Sequence, residues 1–129
     1  MSALPAPWPW PATVRVLLAD KVGFSRTALA GALDGTTGLE LMAVMDDGPA
    51  LRDAVARLRP DVLVIDDRLV GRLRLLPLVP GLRAVVIGID DDPAYAARAK
   101  NAGAVAWVPK DRVDLLLAAI LGPDRVEKY

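Results

Sequence analysis

The chain has 129 residues, with 16 Lys plus Arg against 16 Asp plus Glu, a formal net charge of +0 and a mean hydropathy of +0.33. That is enough apolar material for one domain with its own core, and the balanced charge argues against an autonomous nucleic-acid binder. Cysteine and histidine are both absent, which excludes disulfides, thiolate catalysis and cysteine metal sites, and removes the commonest general base.

No apolar run is long enough to span a bilayer, and the first residues lack a charged segment followed by an apolar one. A cytoplasmic protein without membrane contact is expected. Residues 1–12 alternate Pro with Trp8 and Trp10, which predicts a polyproline-like arm. The body should occupy residues 13–122, and residues 123–129 form a tail or the start of a linker.

Residues 13–19 read as a strand ending in Asp20-Lys21. Phe24, Ala28, Leu29, Ala32 and Leu33 have helical spacing, closed by Asp34-Gly35. A second strand over 39–45 stops at Asp46-Asp47-Gly48. Pro49 then opens a helix whose buried face is Leu51, Val55 and Leu58. Pro60-Asp61-Val62-Leu63-Val64-Ile65-Asp66-Asp67 is a short apolar run, β-branched in its middle, of the kind buried on both faces of a parallel sheet. It ends in two carboxylates, where the ligands of open α/β sheets gather. Asp66 therefore stands where a functional acid would stand, although an Asp after a strand also serves to make a turn. Asp67 is expected in the loop, facing away from Asp66.

Leu69, Leu73 and Leu76 suggest a third helix that Pro77 and Pro80 cut short. Residues 83–89 form a fourth strand, interrupted by Gly88. Asp92-Pro93 caps a helix to Asn101 that ends before Gly103, and the run 90–92 is most simply a solvated helix start. A fifth strand covers 105–108, and Asp111 caps a last helix to Leu121. Alternating strands and helices of this kind predict an α/β fold, a flavodoxin-like, doubly wound, five-stranded parallel sheet. Asp20, Lys21 and Asp66 then converge at its carboxyl edge, with Lys110 reaching in from the side.

Four pieces in this order and spacing resemble a known family. They are Val-Arg-Val-Leu-Leu-Ala-Asp at 14–20, Leu-Arg-Pro-Asp-Val-Leu-Val-Ile-Asp at 58–66, Asp-Asp-Pro-Ala-Tyr at 91–95, and Ala-Gly-Ala-Val-Ala-Trp-Val-Pro-Lys-Asp at 102–111. The stretch 14–121 is similar to the receiver domains of two-component response regulators, most closely those attached to LuxR-type DNA-binding domains. The resemblance implies that Asp66 is the equivalent of the phosphoacceptor, Lys110 the lysine that contacts the acyl phosphate, and Trp107 the aromatic switch residue. Asp20 matches the first of the family's metal-binding acidic pair.

The departures also carry meaning. Lys21 replaces the second acid of that pair, a direct Mg²⁺ ligand in the family, and Gly88 replaces the Ser or Thr that bonds the phosphoryl group. Leu69-Val70-Gly71 replaces Met-Pro-Gly. An ammonium at a ligand position repels Mg²⁺, and Lys21 is expected to pair with Asp66 or Asp20 in its stead. The expectation is a non-enzymatic, atypical receiver with no cofactor and a degenerate Mg²⁺ site at Asp20 and Asp66. It would control transcription through protein contacts, with a small-molecule ligand near Gly88 and a DNA-binding output domain outside this chain. A conventional phospho-accepting receiver is the alternative. A flavodoxin-like enzyme or cofactor carrier is a weaker one, because no Gly-rich phosphate loop or nucleophile elbow is present.

On the last helix, Val113, Leu116, Leu117 and Ile120 should face the core by their 100° steps. Leu115 points away among Ala118, Ala119 and Gly122, and Arg26 is the one charge between Val22 and Leu33. The first and last helices together predict a smooth homodimer or partner surface centred on Leu115, Ala118 and Ala119.

Overall fold

The computed structural model describes residues 12–46, 48–70, 80–89 and 92–122. Residues 1–11 of the arm, the stretch 71–79, Asp47, residues 90–91 and the tail 123–129 lie outside the described residues. Five strands, β1 (Val14–Ala19), β2 (Leu39–Met45), β3 (Val62–Asp66), β4 (Arg83–Gly88) and β5 (Ala106–Pro109), form one parallel sheet in the order β2-β1-β3-β4-β5. The helices are α1 (Gly23–Asp34), α2 (Gly48–Leu58), α3 (Asp67–Val70), α4 (Pro93–Asn101) and α5 (Val113–Leu121).

β3 is the middle strand, and all five of its residues are buried. Its alternation divides the core. Val62 and Val64 pack with Leu29 and Leu33 of α1 and Leu116 and Ile120 of α5. Leu63 and Ile65 pack with Leu51 and Val55 of α2, Leu69 of α3 and Ala99 of α4. Two-faced burial is why the run carries no polar residue before Asp66. Each large side chain in it contributes about 2 kcal/mol by leaving water.

The amino edge of the sheet is pinned by one side chain from each of two neighbouring strands. Asp61 accepts the Arg15 amide at 2.8 Å. The Arg15 guanidinium donates to the carbonyls of Leu58 and Arg59, both at 3.1 Å, and so caps the end of α2. At the other edge, Asp92 accepts the Ala94 amide at 2.9 Å with Pro93 at the first helical position. Gly103 takes φ +105 after α4, a conformation that side chains with a Cβ disfavour.

Two expectations need correction. Phe24 is 89% exposed and Ala28 is exposed, because Leu29 and Leu33 set the buried stripe of α1 and Phe24 lies well round the helix from both. Asp111 does not cap α5. Arg112 occupies that position with no side-chain cap, and its guanidinium instead pairs with Asp114 at 2.9 Å. On α5, Leu116 and Ile120 are buried and Val113 and Leu117 pack on the same cluster, as their spacing predicts.

Candidate functional site

Strand order brings the ends of β1 and β3 together, and there the chain buries two carboxylates, Asp20 at 0% and Asp66 at 1% exposure. Ionised groups in such a place need partners. Lys110, one residue past β5, supplies the charge for both. Its Nζ donates to Asp20 Oδ1 at 2.7 Å and to Asp66 Oδ2 at 3.3 Å, and its side chain is 7% exposed. A third contact, at 3.1 Å, goes to Ser25 Oγ.

The remaining lone pairs are met locally. Asp20 Oδ1 accepts the Val22 amide at 3.0 Å, and Oδ2 accepts the Ser25 hydroxyl at 2.6 Å. Asp66 Oδ2 accepts the Lys21 amide at 3.1 Å, and Oδ1 accepts the Arg68 amide at 3.1 Å. Burial works to raise the pKa of Asp20, but the bonds from Lys110, Ser25 and Val22 outweigh it, and the carboxyl is held below its ordinary 3.8.

A second group forms beside the first, on the α4 side of the sheet. Gly88 ends β4, and a Cβ there would collide with the Asp67 carboxylate and come within 3.0 Å of Trp107 Cζ2. Asp67 thus fills the space that a side chain at position 88 would need. Burial, then repulsion and hydrogen bonding from Asp66, raise the Asp67 carboxyl above its ordinary 3.8, with Lys110 and Arg68 pulling partly the other way. Trp107 is half-buried against the core, and its Nε1 is a buried polar atom with no hydrogen-bond partner among the described residues.

Known proteins carry the same frame. No protein-family profile matches the chain. It is 36% identical over 105 residues to a protein-glutamate methylesterase/protein-glutamine glutaminase of Myxococcus xanthus, covering 75% of this chain and 30% of that protein. It is 25% identical over 103 residues to the response regulator GacA of Pseudomonas aeruginosa, covering 75% of this chain and 48% of GacA. Among solved structures, the signal receiver domain of NarL from Mycobacterium tuberculosis superposes with a TM-score of 0.70 and 25% identity, over 87% of this chain and 99% of that one.

The chain is a response-regulator receiver domain. It spans about a third to a half of the length of these curated relatives.

Within this receiver the predicted residues sort unevenly. Asp20, Asp66 and Lys110 meet as expected. The Lys21 side chain does not join them: it is exposed, and among the described residues it enters no ion pair. Only its amide reaches Asp66. The expected Lys21 pairing is therefore replaced by Lys110, whose longer reach from β5 already saturates both acids. Asp67 does not face away, since α3 begins at this residue and turns its carboxylate toward Gly88. Ser25 was not anticipated. Its position in the first turn of α1 brings it over Asp20, but nothing in its spacing separates it from an ordinary helix serine.

A divalent cation does not fit this donor set. Lys110 Nζ already stands within 3.3 Å of both carboxylates and would repel a cation beside them, and Mg²⁺ requires near-octahedral oxygen that a lysine at position 21 cannot provide. Among the described residues, no group of three or more acidic, His or Cys side chains is arranged to hold a metal.

Removing one partner of a buried ion pair leaves an uncompensated charge. Lys110→Met should destabilise the fold by about 3 kcal/mol at neutral pH, whereas Lys21→Ala should change it by less than about 0.5 kcal/mol. Urea melts of both variants check this, and equal losses would return Lys21 to the pocket.

Asp67 makes a pH prediction of definite sign. A carboxyl with a raised folded pKa penalises the native state above that pKa, and the penalty fades as pH falls toward 3.8. Asp20 acts oppositely: its support is present above its unfolded value and is lost as pH falls through its lowered folded pKa. Asp67→Asn should therefore melt higher than wild type at pH 7, with the difference shrinking toward pH 4. Parallel melting curves from pH 8 to 4 would show that Asp67 bears no such strain.

Proposed function

We propose that this receiver regulates transcription without the ordinary phosphorylation cycle, through contacts with a DNA-binding output domain outside this chain. The observation that carries the reading is the buried Lys110 ammonium bridging Asp20 and Asp66. Phosphoryl transfer to a carboxylate needs an accessible oxygen and a cation to offset the charge that develops. Asp66 is 1% exposed and both its oxygens are bonded. The charge that would receive a phosphoryl group is already shared between two buried carboxylates. Gly88 offers no hydroxyl, and Asp67 lies in the space such a side chain would use.

In this reading Asp66 is the equivalent of the phosphoacceptor but does not turn over, Mg²⁺ binds weakly or not at all, and Gly88 and Trp107 are the switch-equivalent positions. The domain itself catalyses nothing and touches neither membrane nor DNA. Among the described residues no helix is long and apolar enough to cross a membrane. Signalling then runs through protein contacts and is modulated by a small ligand near Gly88.

Acetyl phosphate with Mg²⁺ should leave the intact mass of the protein unchanged. A substantial phosphorylated fraction that disappears in Asp66→Asn would reinstate the conventional receiver.

The contact surface we assign is the face of α1 and α5, which pack together. Leu115 is 42% exposed and Phe24, at the start of α1, is 89% exposed. Ala118 is half-buried, while Ala119 packs partly against the core and contributes little to the outer face. Leu115→Glu should convert a dimer to a monomer in analytical ultracentrifugation with the fold intact. A wild-type monomer at high concentration removes the homodimer, and a dimer that survives the substitution moves the interface elsewhere.

A further inference from the structure

Beyond the acidic site, a cleft of about 500 Å³ opens between α3, α4 and β4. Its floor is apolar, made by Val86, Ala99 and Ala102, with Tyr95 on one side. Two guanidiniums, Arg68 and Arg98, line it and are exposed. Neither forms an ion pair with any described residue. Arg98 lies over the Tyr95 ring at 4.4 Å from its centroid, which holds the cation at the cleft while leaving its edge free to donate. Among the described residues the one acid lining the cleft is Asp67, whose pKa burial and Asp66 raise.

A space of about 280 Å³ above the acidic site is lined by Asp66, Ile89 and Lys110, and it shares Asp67, Arg68 and Tyr95 with the larger cleft. Asp67, which lines both spaces, is the residue whose carboxylate occupies the space a side chain at Gly88 would need.

We propose that the α3–α4 cleft binds a small amphipathic organic anion, an apolar body bearing one carboxylate or sulfonate, which Arg68 and Arg98 recognise. This rests on the ligand-modulated reading above and names the ligand's class. The apolar floor takes the body of the ligand, as concave sites with a few placed polar groups do. Two guanidiniums with no ion-pair partner among the described residues select a negative headgroup.

The test uses anilinonaphthalene sulfonate as the anionic probe and uncharged phenyl-naphthylamine as its neutral counterpart, read by fluorescence on the full chain. Each protein is used only below a cooperative thermal transition measured in the same buffer. The anionic probe should bind with a Kd in the tens of micromolar, as ligands of its size do in a single apolar cleft. Arg68→Gln with Arg98→Gln should weaken it about tenfold, since both charges are exposed and screened, and should leave the neutral probe within about twofold. Ala102→Phe should reduce both by filling the floor.

Absence of anionic binding overturns the proposal, as does binding that neither change affects. Equal losses of both probes in the double Arg variant overturn the anion assignment. The outcome is independent of phosphorylation: a protein labelled by acetyl phosphate that still binds the anion through these arginines overturns only the proposed function.

Discussion

One lysine holding two buried carboxylates is the interaction on which the carboxyl edge of this domain depends. Asp20 and Asp66 lie at the ends of adjacent strands with almost no exposure, and unpaired charges cannot persist there. Lys110 must reach past the end of β4 to serve them, so its position after β5 is set by the sheet, and its amide bonds to the Gly88 carbonyl at 2.8 Å. The bonds from the Lys21, Val22 and Arg68 amides then fix the loops that follow β1 and β3. Sheet order, loop conformation and charge balance are one constraint.

Much of this could be read from the residues because it follows from periodicity. Runs of alternating or continuous apolar residues located all five strands, and Asp92-Pro93 located α4. Convergence of Asp20, Asp66 and Lys110 followed from strand order alone. Side-chain direction within the loops did not follow. Lys21 and Asp67 each stand next to a pocket acid, and adjacent residues differ in direction by a backbone rotation that composition does not encode. Phe24 failed for a related reason: an apolar residue at the first turn of a helix satisfies the spacing while standing beyond the edge of the core.

For Asp67 a signal existed. Val86 in β4 and Ile65 in β3 belong to the core layer on the α2–α4 side, and Trp107 packs on that same layer from β5. Two residues along from Val86, Gly88 must aim its missing side chain to the same side. A glycine at a buried strand end leaves a hole between Trp107 and whatever follows β3, and protein interiors do not leave such holes empty. The residue that follows Asp66 was the nearest candidate to fill it. Departures at separate positions, read one at a time as losses, are here a single repacking in which Gly88 and Asp67 compensate each other.

The same repacking sets what the pocket can do. With Asp20, Asp66 and Asp67 facing one ammonium, the local charge is negative unless a proton or an outside cation joins, and Asp67 is the group whose surroundings favour the proton. A soluble metal ion can leave, be replaced and bring in a phosphoryl ligand; a tethered lysine can do none of these without breaking the fold that it holds. Stability and phosphoryl chemistry therefore make opposite demands on Lys110, and under the proposed function the buried ion pairs hold it to the first. Asp67 is the half-buried acid of the group: it stands beside Asp66, fills the space over Gly88 and lines the α3–α4 cleft. Under the proposed ligand-modulated function a signal would enter most readily there, because moving Asp67 breaks no ion pair among the described residues.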